Sequence, residues 1–368
     1  MTSSIFQEWR KIGQEFSPAW IGLNLVAGVA IISRFIHGLI SDPTLNKAIS
    51  EILVAVLLGL YLRNWIGLSA RTEAGIKFAI QRILRLGIIL LGLRLSLQDV
   101  AATGLSALVL VLICITIALA LSYLAGRVFH VPTRLAMLIG VGTAICGNSA
   151  IVATAPAIEA KEEEVSFAVA TITLFGLLAV VFYPLIGHLI GLTDRSFGLW
   201  AGTAVNDTSQ VVAVGAAFSE VALNFATIVK LTRNTLMAPL IVLFGLFYTQ
   251  GLKQKLSDKA AQATHMTIGK LVPGFVLGFL FMSLIRTSGV ALGILPQNVS
   301  QPGNLIFAAN LLNWLDEAAK FAILMALAGV GLNTNLAGLR RIGFKPLIVG
   351  TSVAVVLAIV SLSLILLT

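Results

Sequence analysis

The chain has 368 residues, of which 58% are hydrophobic and only 11% charged, and its mean hydropathy is +0.97. Soluble domains run near about 45–50% apolar and about 25% charged, so a water-soluble globular protein is excluded and an all-α, polytopic membrane protein is implied. A net charge of +9 would suggest a nucleic-acid partner in a soluble chain, but here the basic residues follow the loops between apolar segments, and the lipid bilayer is the expected partner.

Residues 1–18 carry Glu8, Arg10, Lys11 and Glu15 and lack the apolar core and cleavage site of a secretory signal. They read as a cytoplasmic tail ahead of a retained first span. From residue 19 onward, segments near the roughly 20 residues needed to cross a bilayer recur along the chain. About eleven are expected: 19–39, 51–68, 75–98, 103–128, 133–157, 165–190, 197–219, 222–250, 267–286, 303–333 and 343–367. On this count one side collects Arg10, Lys11, Arg63, Arg71, Lys77, Arg127, Arg134, Arg195, Lys253, Lys255, Lys259, Lys270, Arg340, Arg341 and Lys345. The other side holds Arg34, Lys47, Arg94, Lys161 and Arg286. The positive-inside rule then places the N-terminus in the cytoplasm and, with an odd number of spans, the C-terminus outside. Glu159, Glu162, Glu163 and Glu164 fall on the outer side as a solvated loop. No Pro/Ser-rich linker divides 19–368, which reads as a single transmembrane domain with core segments at about 133–250 and a polar linker at 250–267.

Cys114 and Cys146 lie in apolar segments, the histidines are scattered, and no HExxH, Walker or GxSxG pattern occurs. Nothing there calls for a metal, a cofactor or an enzyme.

Two apolar segments are broken by one phrase: Gly142-Thr143-Ala144-Ile145-Cys146-Gly147-Asn148-Ser149-Ala150-Ile151-Val152-Ala153 and Gly202-Thr203-Ala204-Val205-Asn206-Asp207-Thr208-Ser209-Gln210-Val211-Val212-Ala213. The offset is constant at 60 residues, from 142 to 202. Polar breaks within apolar spans are costly in hydrocarbon unless they face a solute or water cavity, so an internal repeat of broken helices is expected to form a binding site. Half-helix N-termini there would favour an anion, with Asn148, Ser149, Asn206, Thr208, Ser209 and Gln210 adding side-chain donors and acceptors. Thr143 and Thr203 suit helix packing equally well. Asp207, a carboxylate in mid-span, must pair, bind a cation or stay protonated, and is the candidate for Na+ or H+ coupling, with a helix cap as its structural alternative.

Lys230, Arg233 and Asn234 share one helix face at i, i+3 and i+4, where they could attract the anion or pair with Asp207 in a structural salt bridge. Arg82 and Arg85 are secondary candidates that could snorkel to the interface. Asp316 and Lys320 form a favourable i, i+4 pair near Trp314. A second similarity links Leu91-Gly92-Leu93-Arg94-Leu95-Ser96-Leu97 to Val330-Gly331-Leu332-Asn333-Thr334-Asn335-Leu336. These two fall on opposite sides, as inverted repeats do, whereas the two breaks run parallel by the same count. Either a break is a re-entrant hairpin or one of 222–250 and 303–333 is miscounted; the sequence leaves both open.

The phrases Thr-Ala-Ile-Cys-Gly-Asn-Ser-Ala-Ile, Thr-Ala-Val-Asn-Asp-Thr-Ser-Gln-Val and Lys-Leu-Thr-Arg-Asn resemble the YeiH-type sulfate exporter family of bacterial inner-membrane proteins over nearly all of the chain beyond the N-terminal tail. More distantly the chain is similar to the bile-acid/sodium symporter and cation/proton antiporter superfamily. That resemblance implies inverted five-helix repeats, crossed broken helices around Gly147 and Asn206, and elevator-type movement against a scaffold. The resulting expectation is a gradient-driven secondary transporter of a small anion such as sulfate, sulfite or a sulfonate. An anion channel and an intramembrane enzyme are the alternatives, and a homodimer is one arrangement the sequence allows.

Overall fold

The computed structural model describes residues 2–40, 49–237, 240, 273–297, 305–339 and 344–367, with side chains from Ala19 onward except at 338–339. The polar linker at 250–267 and the C-terminal Thr368 lie outside the described residues, as does the end of the segment expected at 222–250. In chain order the α-helices are α1 (Thr2–Gly38), α2 (Glu51–Tyr61), α3 (Ala70–Phe78), α4 (Leu84–Leu91), α5 (Leu97–Val128), α6 (Thr133–Ala144), α7 (Asn148–Thr154) and α8 (Glu162–Leu189). They continue with α9 (Asp194–Ala204), α10 (Thr208–Phe218), α11 (Glu220–Thr235), α12 (Gly274–Ala291), α13 (Ile306–Asn333), α14 (Leu336–Leu339) and α15 (Phe344–Leu367). No strand occurs among the described residues, and five helical segments are long and apolar enough to cross a membrane: Ala19–Gly38, α5, α8, α12 and α15.

The chain divides into two compact units, Met1–Leu97 with Gly278–Ala337, and Gln98–Leu277 with Gly338–Thr368. In the first unit α13 packs against α1, α2 and α4. Its small residues permit close approach: an added Cβ on Gly59 of α2 would lie 2.6 Å from the Ala328 carbonyl oxygen, and one on Gly331 would lie 2.3 Å from that of Val56. The pair Asp316 and Lys320 forms as spaced, with Nζ 3.1 Å from Oδ2. Arg94 joins it with a two-pronged contact, Nη2 donating to Asp316 Oδ2 at 2.8 Å and Nε to Oδ1. Glu317, Arg34 and Glu51 extend the chain of ion pairs. Trp314 is exposed, and so are Arg82 and Arg85. The two similar phrases at 91–97 and 330–336 end helices in the same way. Leu95 O accepts from Ser283 and Leu97 N donates to Thr287, while the corresponding Thr334 O and Leu336 N are both held by the Asn64 amide.

The second unit holds both polar phrases, and neither segment crosses it as a continuous helix. α9 runs inward, breaks at Val205–Asp207, and α10 returns: Phe218 at its far end stacks on Phe197 with ring centroids 3.8 Å apart, and Ser219 Oγ donates to Asp194 Oδ1 at 2.6 Å. α6 and α7 make a second hairpin. Leu135 and Phe167 line one cleft and an added Cβ on Gly142 would touch Ile172, so α6 runs in the same direction as α8; α7, lying between them in sequence, must come back. The hairpins start from opposite ends of α8. The base of the first lies beside the α8 N-terminus, where Val131, Pro132, Lys161 and Glu163 share a cleft, and the base of the second beside its C-terminus, where Phe197 packs on Gly187. Both tips reach Thr173–Gly176, the middle of this 28-residue helix. Each inward arm of 11 or 12 residues is about 17 Å long, roughly half of a bilayer's hydrocarbon core.

This resolves the conflict in orientation. A helix–break–helix of about 25 apolar residues has the hydropathy of one crossing, yet here it folds back, and the two phrases meet from opposite ends. The buried core around the first hairpin draws Val111 and Cys114 from α5, Leu138 and Ile139 from α6, and Val353 and Leu357 from α15.

Candidate functional site

The two tips meet. Gly147 has φ +66°, a conformation that favours glycine, and a Cβ there would lie 2.9–3.0 Å from Oδ2, Cα and Cβ of Asp207, its counterpart in the other phrase. Asp207 is the N-cap of α10: Ser209 N and Oγ both donate to its Oδ1, at 2.9 and 2.7 Å, and Asp207 N donates to Gln210 Oε1 at 3.2 Å. Gln210 Nε2 in turn donates to Thr173 O at 3.4 Å, and Gly176 makes room for it, since a Cβ there would sit 1.7 Å from Gln210 Oε1.

On the other flank, the inward arms α6 and α9 end with carbonyl groups that have no helical partner. Lys230 and Arg233, both fully buried in the last turns of α11, take them up. Lys230 Nζ donates to Ile145 O at 2.8 Å, Val205 O at 3.2 Å and Asn206 O. Arg233 donates through Nε to Ala144 O at 3.1 Å, through Nη1 to Gly202, Thr203 and Val205 O at 2.9, 2.7 and 3.1 Å, and through Nη2 to Thr143 O. The 60-residue offset of the sequence thus reappears as chemistry: lysine binds the equivalent carbonyls of Ile145 and Val205, arginine those of Thr143 and Thr203. Two cations at two helix C-termini also oppose the negative ends of both dipoles.

Lys230 and Arg233 were expected as anion ligands or as partners of Asp207. Their hydrogen bonds in this structure go to main-chain carbonyls, which ties the two tips together. Thr143 and Thr203 follow the packing alternative, each hydroxyl bonding four residues back, to Ile139 O at 2.9 Å and Leu199 O at 2.7 Å.

The remaining expected residues cluster where α7 and α10 begin. Asn148 Nδ2 donates to Thr173 Oγ1 at 3.4 Å, and Asn234 Nδ2 to Thr208 Oγ1 at 3.3 Å. The amide oxygens of Asn148, Asn206 and Asn234 are buried without a hydrogen-bond partner, and the Asn206 and Asn234 side chains belong to residues only 3% exposed. Such acceptors are rare in finished packing and call for a donor from a ligand or water. Ser209 and Gln210 are buried as part of the cap, whereas Asn148, Asp207 and Thr208 are half-buried and Ser149 is exposed, which opens this flank of the junction. Two residues escaped the sequence reading, Thr173 and Gly176. Both sit in a continuous apolar helix, where Thr173, close to Thr171, and Gly176 carry no signal beyond ordinary helix packing. Among the described residues no cluster of His, Cys, Asp and Glu could hold a metal ion.

A family model described as conserved hypothetical protein 698 matches residues 21–350. The chain is 34% identical over 347 residues to a UPF0324 membrane protein of Clostridium tetani, covering 93% of this chain and 95% of that one. It is 37% identical over 347 residues to the UPF0324 membrane protein of Streptococcus mutans, with the same coverage of 93% and 95%. With the UPF0324 membrane protein FN0533 of Fusobacterium nucleatum it shares 33% identity over 331 residues, 88% and 91% of the two chains. The chain belongs to this family of membrane proteins.

Proposed function

We propose that this UPF0324 membrane protein is a secondary transporter that carries a small anion, of the sulfate, sulfite or sulfonate kind, across the bacterial inner membrane. The observation that carries the proposal is the junction itself: two broken helices enter from opposite ends, stop at mid-depth, and leave charge and unpaired amide oxygens beside an open flank. The resemblance to YeiH-type exporters and to the sodium symporter and antiporter superfamily points the same way, toward rigid-body movement of the core within the single transporter domain, 19–368. Asp207 is the residue proposed to bind Na+ or H+, and no enzymatic activity or cofactor is assigned.

Counting each hairpin as a fold-back turns the eleven expected segments into nine crossings, eleven minus two, with the hairpins as inverted elements of an internal repeat. Lys161 and Arg195 then trade sides and the basic asymmetry is unchanged, so the N-terminus stays cytoplasmic and the C-terminus periplasmic.

Counterflow in proteoliposomes tests the transport reading. A carrier preloaded with sulfite accelerates uptake of labelled sulfite from outside; steady single-channel conductance in a planar bilayer would favour the channel, and absence of any anion flux would refute both.

A further inference from the structure

Accepting the junction as the anion site, we infer that it takes a monovalent oxyanion carrying its own hydrogen, such as bicarbonate or hydrogensulfite, in preference to a dianion. Two independent observations lead there.

The first is charge. Lys230 spends three donors on three carbonyls, and three are what an ammonium has; the Arg233 guanidinium is always charged. Asp207 is the carboxylate that acts electrostatically on Lys230 among the described residues. The other titratable groups facing these two cations are Cys146 at the first tip, Cys114 of α5 and Tyr183 of α8, which ordinarily are neutral at pH 7. The helix ends largely offset one another, two C-termini against two N-termini. With all three Lys230 N–H groups taken up by carbonyls and Asp207 accepting as a carboxylate from Ser209, two cations and one carboxylate leave one positive unit at the junction while Asp207 holds neither Na+ nor H+. One negative charge neutralises it, whereas a dianion leaves an uncompensated charge out of water.

The second is hydrogen bonding. Asn206 and Asn234, each 3% exposed, present amide oxygens that lack a donor, and Asn148 adds a third. The amide nitrogens of Asn148 and Asn234 each give one of their two N–H groups to a threonine hydroxyl, and the oxygens are the ends without any partner. Nitrate, chloride and sulfate bring acceptors alone. A hydrogen-bearing oxyanion brings an O–H for one of these oxygens while its other oxygens accept from hydroxyl and amide N–H groups at the tips.

Calorimetry on the purified full-length protein in sodium-free buffer tests this, with bicarbonate, nitrate and sulfate as titrants and sulfite titrated below and above its own ionisation from hydrogensulfite. Bicarbonate should bind at least about tenfold tighter than either nitrate or sulfate, as expected when one buried acceptor gains or loses its donor. Sulfite affinity should fall as hydrogensulfite ionises while that of bicarbonate-free controls with nitrate stays flat. Asp207→Asn keeps a good N-cap and raises the fixed charge by one unit, so it should shift preference toward sulfate by about tenfold or more; Asp207→Ser, also a capping residue, serves if that variant does not fold. Equal affinity for sulfate, nitrate and bicarbonate would overturn the inference and leave the anion site standing. Binding of none of them, or binding indifferent to Asn206→Leu, would overturn the anion site itself.

Discussion

The two compact units partner their charges in different ways, the first at part-exposed side chains and the second at fully buried ones. In the first, Arg94, Lys320 and Arg34 are answered by Asp316, Glu317 and Glu51, side chain to side chain, and the network closes near neutrality. In the second, Lys230 and Arg233 donate to main-chain carbonyls, which accept their hydrogen bonds without cancelling their charge. Hydrogen-bond satisfaction and charge neutrality are separate conditions. A region that meets both is structural; a region that meets the first alone still attracts a counter-ion. The contrast also separates two kinds of damage, because loss of Arg94 leaves Asp316 its contact with Lys320, whereas loss of a carbonyl-bound cation strands several main-chain groups at once.

Arg233→Met should therefore be the most damaging substitution. It orphans the carbonyls of Thr143, Ala144, Gly202 and Thr203 in one step, at about 4 kcal/mol or more, and should appear as a large fall in detergent melting temperature and loss of the monodisperse peak. If the variant stays folded and loses only anion affinity, the arginine is a ligand and its role as a lock is wrong. Gly147→Ala comes next, at about 2–4 kcal/mol, since it forces a left-handed φ on a residue with a Cβ and drives that Cβ against Asp207. Anion affinity should fall with stability here, because the tip that moves carries Asn148. Arg94→Met should cost about 1–2 kcal/mol, because Lys320 still holds Asp316 at 3.1 Å. Its distinguishing result is an unchanged dissociation constant for bicarbonate; a loss of affinity would mean that the two charge clusters are coupled.

Much of this junction was legible in the chain. A run such as Asn206-Asp207-Thr208-Ser209-Gln210 inside an apolar segment marks a break, since so many polar groups would otherwise be stranded in hydrocarbon. The i, i+3 spacing of Lys230 and Arg233 put both on one face, and the spacing of Asp316 and Lys320 put their charges in reach. What those cations touch was not legible, because their partners are backbone carbonyls that any residue supplies. The fold-back of α6–α7 and α9–α10 was equally hidden. Hydropathy registers how apolar a segment is and does not register the direction of its second half, so a hairpin and a crossing look alike. The topology came out parallel for that reason alone. Thr173 and Gly176 illustrate the remaining gap: their importance comes from what two other segments bring to the middle of α8.

The central claim is that the junction of the two tips is a solute site reached in turn from the two sides of the membrane. Ser149, exposed at the start of α7, reports on it most directly, and the two native cysteines, Cys114 and Cys146, are buried. Ser149→Cys should react with a membrane-impermeant maleimide applied from either face of oriented vesicles, and bicarbonate should slow the reaction from both. Reaction with lipid-soluble reagents alone, or indifference to every anion tried, would place Ser149 against lipid and contradict the account.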